Sequence, residues 1–348
     1  MRILGIESSC DETAAAVVED GRNILSNIIV SQIDIHKLYG GVVPEIAGRN
    51  HIEAIDLVVA EALKQAKVEL CDIDAIAVTY GAGLVGALLV GVCYAKALAQ
   101  ASNIPLYAVN HIEGHICANY ITNKDLTPPY ICVLASGGHT AITKVNGYND
   151  ITVLCSTIDD AVGEAFDKVA RVMGLSYPGG VKIDALSKNG QALYPFHTVV
   201  VDNGNFSYSG LKTGVINFLH NETQKGKMLK YNNESDENDI AIEDVCASFT
   251  KVAIDGLIVR AVEELKLSGL NKIAVAGGVG ANSYLRSQLL QLQSQNIQVF
   301  LPELKLCTDN AAMIASNGYF QIISGQSSAD DTLNATPTLK LRGERPKH

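Results

Sequence analysis

The sequence predicts an α/β protein built from two similar halves with a cleft between them. Apolar β-rich runs alternate with longer helical patterns along the chain, which is typical of an α/β fold. Residues 130–145 repeat the layout of residues 3–18, and glycine- or serine-rich turns follow predicted strand ends in both halves. With 348 residues, the chain is also too long for one ordinary core, so we expect two lobes of one architecture.

The first half begins with a meander of three strands and continues with alternating helices and strands. The three strands are ILGIE (3–7), AAAVVE (14–19) and NILSNIIVS (23–31). The next predicted elements are a helix over 44–68, a strand over 73–80, a helix over 85–101, a strand over 105–109 and a helix that carries His111 and His115. Pro44 favours the start of the first of these helices, because a first helical turn accepts proline.

The second half repeats this order. YICVLASGGHTAITKV (130–145) is an apolar strand, a polar turn, Thr-Ala and a second apolar strand, like ILGIESSCDETAAAVV (3–18). The remaining predicted elements are a strand over 151–157, a helix over about 160–173, a strand, glycine turn and helix over 272–291, a strand over 297–303 and a helix over 308–323. Chance similarity between two hairpins is the alternative explanation of the repeat.

This pattern predicts three divisions of the chain. We expect an N-terminal lobe over 1–128, a C-terminal lobe over 129–327 and a tail over 328–348. The last helix of the second lobe is expected to pack back toward the first lobe. Residues 222–240 are polar, so we expect an exposed loop or local disorder there.

Composition argues against several classes of protein. The chain is 47% hydrophobic, but no run of eighteen or more apolar residues lacks a charge or a strong breaker, so we expect no membrane span. The N-terminus turns polar too early for a signal peptide, which favours the cytoplasm. Eight cysteines without a CxxC pair predict buried thiols in a reducing compartment. The net charge of −10 argues against a protein that coats nucleic acid but permits a local basic patch.

Five glycine- or serine-rich turns are candidates for ligand binding. They lie at residues 7–13, 81–91, 135–140, 178–180 and 276–282. Glycine lets backbone N–H groups approach a ligand closely, and such a turn before a helix presents donors to phosphate. One such turn is weak evidence, because α/β proteins use glycine in tight turns. Recurrence at strand ends in both halves predicts a nucleotide-sized ligand between the lobes. The GxxxxGK[ST] pattern of P-loop NTPases is absent.

His111 and His115 stand four residues apart on a predicted helix. This spacing places both side chains on one face and suits two ligands of one metal ion, although two structural histidines are the alternative. The ion would need a carboxylate as well, and spacing alone leaves Asp11, Asp167 and Asp309 open. The metallopeptidase motif HExxH is not present, because Ile112 occupies the position of its acid.

Ten motifs, in this order, closely resemble the bacterial TsaD family, also known as Gcp. They are GIESSCDET, YGGVVPEIAGRNH, GAGLVGALLVG, NHIEGH, LASGGHT, DDAVGEAFDKVAR, YPGG, FSYSGLKT, AGGVGAN and CTDNAAMIA, spread over residues 2–323. The resemblance implies the duplicated (ASKHA) fold of actin, sugar kinases and Hsp70-type chaperones, with a nucleotide-binding cleft. It also implies transfer of threonylcarbamoyl from threonylcarbamoyl-adenylate to N6 of the adenosine 3′ of the anticodon, in tRNAs that read ANN codons.

The resemblance also implies roles for individual residues. His111, His115 and Asp309 map onto the ligands of one divalent ion, Fe²⁺ or Zn²⁺. The implied contacts to the adenylate are Leu134, Ala135, Ser136, Gly137 and Gly138 in one turn, with Asp167, Gly180, Asp184 and Asn282 elsewhere. Bacterial members work with the paralogue TsaB and the ATPase TsaE, and TsaC-type enzymes supply the adenylate. Two departures are an alanine at Ala82, where the family often has proline, and a longer polar loop at 222–240.

The chemistry agrees with the residue patterns. The exocyclic amine of adenosine is a poor nucleophile, so it needs an activated donor and an electrophilic catalyst, and a His/His/Asp-bound ion can act as a Lewis acid. Asp11 or Glu12 is the candidate for removing the proton from the amine; capping of the turn is the alternative role. The rival functions are a zinc peptidase, an actin-like ATPase or sugar kinase, and a non-catalytic binding subunit.

A tRNA partner would need positive charge, and the tail concentrates it. The segment KLRGERPKH carries four basic residues, Lys340, Arg342, Arg345 and Lys347, and one acidic residue, Glu344. We hypothesise that this tail contacts the tRNA backbone; a solvated terminus is the alternative.

Overall fold

The protein contains two five-stranded sheets of the same topology. The structure is a computed structural model that describes residues 1–201, 204–232, 234 and 239–341. The first sheet consists of β1 (Arg2–Glu7), β2 (Glu12–Glu19), β3 (Asn23–Ser31), β4 (Ala75–Gly81) and β5 (Leu106–Asn110). Its strand order is β3-β2-β1-β4-β5. The first three strands are antiparallel, and β4 and β5 continue the sheet in parallel to β1.

The second half of the chain repeats this arrangement. Its strands are β6 (Tyr130–Ala135), β7 (Thr140–Gly147), β8 (Asp150–Ser156), β9 (Leu229–Lys230), β10 (Ile240–Ala241), β11 (Lys272–Ala276) and β12 (Gln298–Phe300). The second sheet has the order β12-β11-β6-β7-β8, and β9 pairs separately with β10. An antiparallel meander is again extended by two parallel strands. The two matching orders confirm the predicted duplication.

Ten α-helices occur in the described part of the chain. They are α1 (Ile33–Lys37), α2 (Pro44–Ala66), α3 (Val85–Ser102), α4 (His111–Thr122), α5 (Val162–Val172), α6 (Gly179–Ser187), α7 (Tyr208–Gln224), α8 (Ile242–Ser268), α9 (Ser283–Gln291) and α10 (Ala311–Ile323). One of them, α3, is long and apolar enough to cross a membrane by length and composition; it packs against α2 and β4.

The first sheet is covered on both faces, and the alternation along β1 explains how. Leu4 and Ile6 lie in the cluster formed with α2 and α3, whereas Ile3 lies in the cluster formed with α10. Successive strand residues point to opposite faces, so both faces of β1 are buried. At Gly5, an added Cβ would collide with the carbonyl oxygen of Ala311, which shows how closely α10 approaches the strand. The last helix therefore packs on the first sheet.

The residues after α10 run along the first lobe without regular structure. Ala329 N donates to Leu106 O at 2.7 Å, and Thr336 N donates to Tyr80 O at 2.7 Å. Leu341 is buried in a core cluster with residues of both halves. The predicted basic tail therefore starts from an anchored segment, while its cations Arg342, Arg345 and Lys347 lie outside the described residues. The proposed limits of the lobes and tail remain a prediction.

Most of the predicted strands and helices are confirmed to within a few residues. The predicted helix over 160–173 begins at Val162, and the one over 308–323 begins at Ala311, where Asn310 caps it by accepting from Met313 N. The expectation of a loop over 222–240 is wrong at 222–224, which end α7, and at Leu229–Lys230, which pair with β10. Residues 233 and 235–238 of that segment lie outside the description.

Candidate functional site

A cavity of about 570 Å³ lies between the two lobes, where the predicted turns meet. Its wall includes residues from the turns after β1, β4, β6 and β11, as expected for ligand sites at the carboxyl ends of strands. Twelve of the fourteen predicted site residues line it: Asp11, Glu12, His111, His115, Ser136, Gly137, Gly138, Asp167, Gly180, Asp184, Asn282 and Asp309. A larger cavity of about 670 Å³ beside α7 contains none of them.

The two histidines and Asp309 form one compact group. His115 Nε2 lies 3.1 Å and His111 Nε2 lies 3.4 Å from Asp309 Oδ1. One ligand atom from each of the three residues lies within 4.8 Å of the others. Two imidazole nitrogens and one carboxylate oxygen at this spacing fit a single divalent ion and leave coordination positions open. The other carboxylate candidates, Asp11 and Asp167, line the cavity but do not belong to this group.

Two helix starts place these ligands. Asn110 caps α4 by accepting from Ile112 N at 2.9 Å, so His111 is the first residue of the helix and His115 follows one turn later. Asn310 caps α10 in the same way, and Asp309 is the residue directly before Asn310. Both helices pack against each other. The metal group therefore joins one helix from each half of the duplicated chain.

The electrostatics of this group favour a bound cation. Burial opposes the charged form of Asp309, but the neighbouring His111 and His115 outweigh it and hold the pKa of Asp309 well below its usual value. Burial likewise opposes the charged form of His111, but Asp309 and Glu7 raise the pKa of His111 well above its usual value. Without a metal, the two carboxylates hold a proton on the imidazole; a divalent ion would compete for the same place.

The acids of the first hairpin turn have different environments. Burial, followed by the charges of Asp309 and Asp11, raises the pKa of Glu12 to about 10. Ser31 Oγ donates to Glu12 Oε1 at 3.1 Å. In the metal-free protein Glu12 is therefore protonated at neutral pH. Asp11 is buried at the cavity wall, and its backbone carbonyl accepts from Gln32 N at 2.9 Å.

The turn after β6 divides the predicted substrate residues into two groups. Ser136, Gly137 and Gly138 line the cavity, and both glycines face open space. Leu134 and Ala135 are strand residues whose side chains are buried in the hydrophobic core. The side chains of Leu134 and Ala135 therefore cannot contact a ligand in the cavity, and Ser136, Gly137 and Gly138 form the part of the turn that faces it.

The three acidic and amide side chains among the predicted contacts, Asp167, Asp184 and Asn282, already accept hydrogen bonds from backbone N–H groups. Asp167 Oδ1 accepts from Gly179 N at 2.7 Å and from Gly180 N at 3.3 Å. Asp184 Oδ1 accepts from Ser283 N at 2.8 Å, and Asn282 caps α9 by accepting from Leu285 N. The Asp167 contacts hold α5 against α6, and the Asp184 contact holds α6 against α9. The same side chains border the cavity.

Three residues near the metal group were not predicted. Glu7 is completely buried at the end of β1 and contacts His111. His139 lines the cavity, and burial together with His111 and His115 lowers its pKa to about 4. Tyr177 lines the opposite side. Glu7 and His139 both lie in turn motifs named in the sequence analysis. Glu7 could have been found from the sequence, because it is a charged residue at the end of an apolar strand.

Comparisons with known proteins agree on one family. The family described as "TsaD: tRNA N6-adenosine threonylcarbamoyltransferase" matches residues 23–316. A relative of that name from Clostridium novyi is 53% identical, with 99% of both chains covered. One from Clostridioides difficile is 52% identical over 97% of this chain and 98% of its own.

Solved structures show the fold. HypF of T. kodakarensis aligns with a TM-score of 0.63 at 14% identity, over 93% of this chain and 48% of HypF. The (R)-2-hydroxyglutaryl-CoA dehydratase component A of Acidaminococcus fermentans aligns with a TM-score of 0.52 at 12% identity, over 93% and 99% of the two chains. These likenesses confirm the expected two-lobed ASKHA fold.

Proposed function

Because this chain belongs to the TsaD family of tRNA N6-adenosine threonylcarbamoyltransferases, we propose that it transfers threonylcarbamoyl to N6 of a tRNA adenosine in the cleft between its lobes. The donor is threonylcarbamoyl-adenylate, and the acceptor is the adenosine 3′ of the anticodon in tRNAs that read ANN codons. The observation that carries this proposal is the His111, His115 and Asp309 group facing open glycine turns across one cavity.

The reaction breaks one bond and forms one. The N6 amine attacks the carbamoyl carbon of the donor, the bond from that carbon to the phosphate oxygen breaks, AMP leaves, and the amine loses a proton. The residues of this chain must therefore hold the adenylate, orient the amine and accept the proton. The amine is uncharged and weakly nucleophilic, so orientation and exclusion of water from the cleft supply part of the rate.

His111, His115 and Asp309 would hold one divalent ion, Fe²⁺ or Zn²⁺. When bound, such an ion supplies a Lewis acid and a template for the oxygens of the donor. The backbone N–H groups of Gly137 and Gly138 would bind the phosphate, since both residues face open space at the cavity wall.

The opposite wall would bind the nucleoside end of the adenylate. Asp167, Gly180, Asp184 and Asn282 border the cavity there. Each of the two aspartates uses one oxygen, Oδ1, to accept from backbone N–H groups. That bond fixes the carboxylate plane of Asp167, so its second oxygen has a defined direction for a ligand hydroxyl. The second oxygen of Asp184, Oδ2, lies 3.3 Å from Lys188 Nζ. Leu134 and Ala135 would act through the backbone of β6 alone.

Asp11 is the better candidate for accepting the proton of the amine. Burial and acidic neighbours raise the pKa of Glu12 to about 10. Glu12 is therefore protonated at neutral pH, so it can donate a proton but cannot take the proton of the amine. Asp11 lies beside it on the same turn and lines the cavity.

The peptidase alternative lacks the glutamate that an HExxH motif would place beside the two histidines. Glu113, the only acid between the two histidines, is 1% exposed inside α4 and does not line the cavity. The kinase alternative rests on the fold alone, which many unrelated activities share. The kinase alternative does not explain why two histidines and an aspartate converge at the cleft.

Partner proteins would compensate for the charge of this chain. The net charge of −10 opposes contact with a tRNA backbone. We therefore propose that the TsaB paralogue and the TsaE ATPase belong to the working assembly and supply part of the positive charge that tRNA needs. We propose the cytoplasm as the location of this assembly.

The test combines purified protein, these partners, tRNA and threonylcarbamoyl-adenylate labelled in the threonine. Label should appear in tRNA with one AMP released per transfer. Release of ADP from ATP in the absence of tRNA, in amounts that match turnover, would favour the kinase reading. Cleavage of a protein substrate that follows the bound metal would favour the peptidase reading.

A further inference from the structure

We propose that Glu7 is a positioning residue that fixes the tautomer and ring orientation of His111 for metal binding. The proposal rests on the metal site proposed above. It assigns a function to a buried carboxylate that the transfer chemistry itself does not use.

Glu7 is held by three donors at the end of β1. Its side chain is completely buried. Glu7 Oε1 accepts from Ser9 N at 2.5 Å, and Glu7 Oε2 accepts from Thr79 Oγ1 at 2.6 Å. Glu7 Oε2 also lies 3.0 Å from His111 Nδ1. A buried carboxylate is costly unless donors surround it, and these three contacts supply them.

If a metal took the place of the proton on Nε2, the contact with Glu7 would select one tautomer of His111. Because Glu7 Oε2 can only accept as a carboxylate, the facing Nδ1 must carry the hydrogen. Ser9 Oγ lies 3.1 Å from the same Nδ1, so it can accept from that N–H as well. A neutral ring with its hydrogen on Nδ1 has its lone pair on Nε2, the atom that lies 3.4 Å from Asp309 Oδ1. Glu7 thus presents the free nitrogen of His111 to the metal group.

The second histidine has no such support. His115 Nδ1 is buried and has no hydrogen-bond partner among the described residues. The helix, Asp309 and an edge-on contact with the His111 ring, whose centroid lies 4.7 Å away, orient the His115 ring, whereas His111 also contacts Glu7. Any effect of Glu7 on the metal should therefore pass through His111 alone.

A purely structural role for Glu7 is the competing explanation. The bond to Thr79 joins β1 to β4, so loss of the carboxylate could simply loosen the sheet. The two explanations differ in what they predict for metal affinity. A structural role lowers unfolding temperature without a specific effect on His111, whereas a positioning role weakens the metal even where the fold is intact.

The experiment measures the zinc Kd by competition with a chromophoric chelator, and the Co²⁺ absorption spectrum as a report of ligand geometry. The variants are Glu7→Gln, Thr79→Val and the control Ser8→Ala, in the full-length protein. Ser8 Oγ donates to Ala87 O at 2.9 Å and lies next to Glu7, so its change removes a buried bond that does not reach His111.

In Glu7→Gln, an amide nitrogen facing Nδ1 favours the wrong tautomer, so we expect zinc binding about 10- to 100-fold weaker and an altered Co²⁺ spectrum. Thr79→Val should weaken zinc binding in the same direction but less, and Ser8→Ala should leave it unchanged.

Two results would overturn the proposal. They are an unchanged zinc Kd in folded Glu7→Gln and, should Glu7→Gln not fold, an unchanged Kd in Thr79→Val. A wild-type protein that binds no stoichiometric metal would overturn the proposed metal site as well. The experiment thus distinguishes an error in the proposed metal site from an error in the proposed role of Glu7.

Discussion

Asp309 Oδ1 lies 3.1 Å from His115 Nε2, although the two residues come from opposite halves of a duplicated chain. The aspartate precedes α10, the histidine belongs to α4, and these helices pack against each other. The contact forms at the cleft because each helix starts there with its own asparagine cap. A metal bound here would link two elements that the core already holds together, so its loss should affect chemistry before folding.

We predict that His111→Ala and His115→Ala each remove the stoichiometric metal and reduce transfer to background. Each change deletes one of two nitrogen ligands of a three-residue group. The fold should persist, since α4 is held by its buried apolar residues. Metal analysis, circular dichroism and the transfer assay check this, and His220→Ala on the exposed face of α7 serves as the control. A variant that retains both metal and activity would rule out the assignment.

Asp309→Ala should behave like the histidine variants. Without its carboxylate, the site has no negatively charged ligand and His111 loses a partner that raises its pKa. Metal content and transfer should fall together, while Asp34→Ala, an exposed aspartate on α1, changes neither. Normal metal content in Asp309→Ala would mean that another acid completes the site, and Asp11 would be the next to test.

The sequence predicted the strands of the two five-stranded sheets and six of the ten described helices, because apolar periodicity is local. It missed β9, β10, α1, α6, α7 and α8. It also placed His111 and His115 on one helix face, since four-residue spacing is visible within one turn. It could not choose the third ligand, because Asp309 meets the histidines only through tertiary packing. Glu7 was missed for the same reason: its partners Thr79 and His111 lie 72 and 104 positions away.

Two glycines provide a paired test of the close packing between α10 and the first sheet. Gly5→Ala should destabilise the protein by about 1–3 kcal/mol or more, because its Cβ would collide with the carbonyl oxygen of Ala311. Gly214→Ala in α7 meets nothing within 4 Å, so it should stabilise the protein by about 0.5–1 kcal/mol through helix propensity. Urea unfolding measures both, and a tolerated Gly5→Ala would contradict the packing described here.

Stability should fall on mild acidification because of His51. Its ring is completely buried: Nε2 lies 3.0 Å from Cys10 O and Nδ1 lies 2.7 Å from Thr13 Oγ1. Burial lowers the pKa of His51 in the folded state. The unfolded chain therefore binds more protons, so the contribution is complete above the ordinary pKa of about 6.5 and is lost as pH falls below it.

The measurement is the free energy of unfolding at pH 7.5 and at pH 5.5, in wild type and in His51→Gln. The wild type should lose more stability between these values than the variant does. Equal losses would show that other groups, such as His139, cause the pH dependence.

The role of the basic tail is tested by deleting residues 342–348, which is shorter than the whole basic segment. Asn110 Nδ2 donates to Lys340 O at 2.9 Å, and Leu341 is buried. A deletion from residue 339 would therefore disturb the capping residue of α4. Deleting 342–348 removes Arg342, Arg345 and Lys347 and keeps these contacts.

This truncation should weaken tRNA binding and flatten its salt dependence, because fewer phosphates are neutralised. Binding is measured with the partners present, at several salt concentrations. Metal and adenylate binding should not change. An unaltered affinity and salt slope would assign tRNA contact to the partner proteins.

The most direct test of the central claim follows transfer and bound metal in one sample. The protein is freed of metal by a chelator, mixed with partners, tRNA and threonylcarbamoyl-adenylate, and then titrated with Zn²⁺ or Fe²⁺. Threonylcarbamoyladenosine should form only as metal binds, and it should saturate at one ion per chain. The His111→Ala protein should not respond. Full transfer by the metal-free protein, or restored transfer in His111→Ala, would contradict the account.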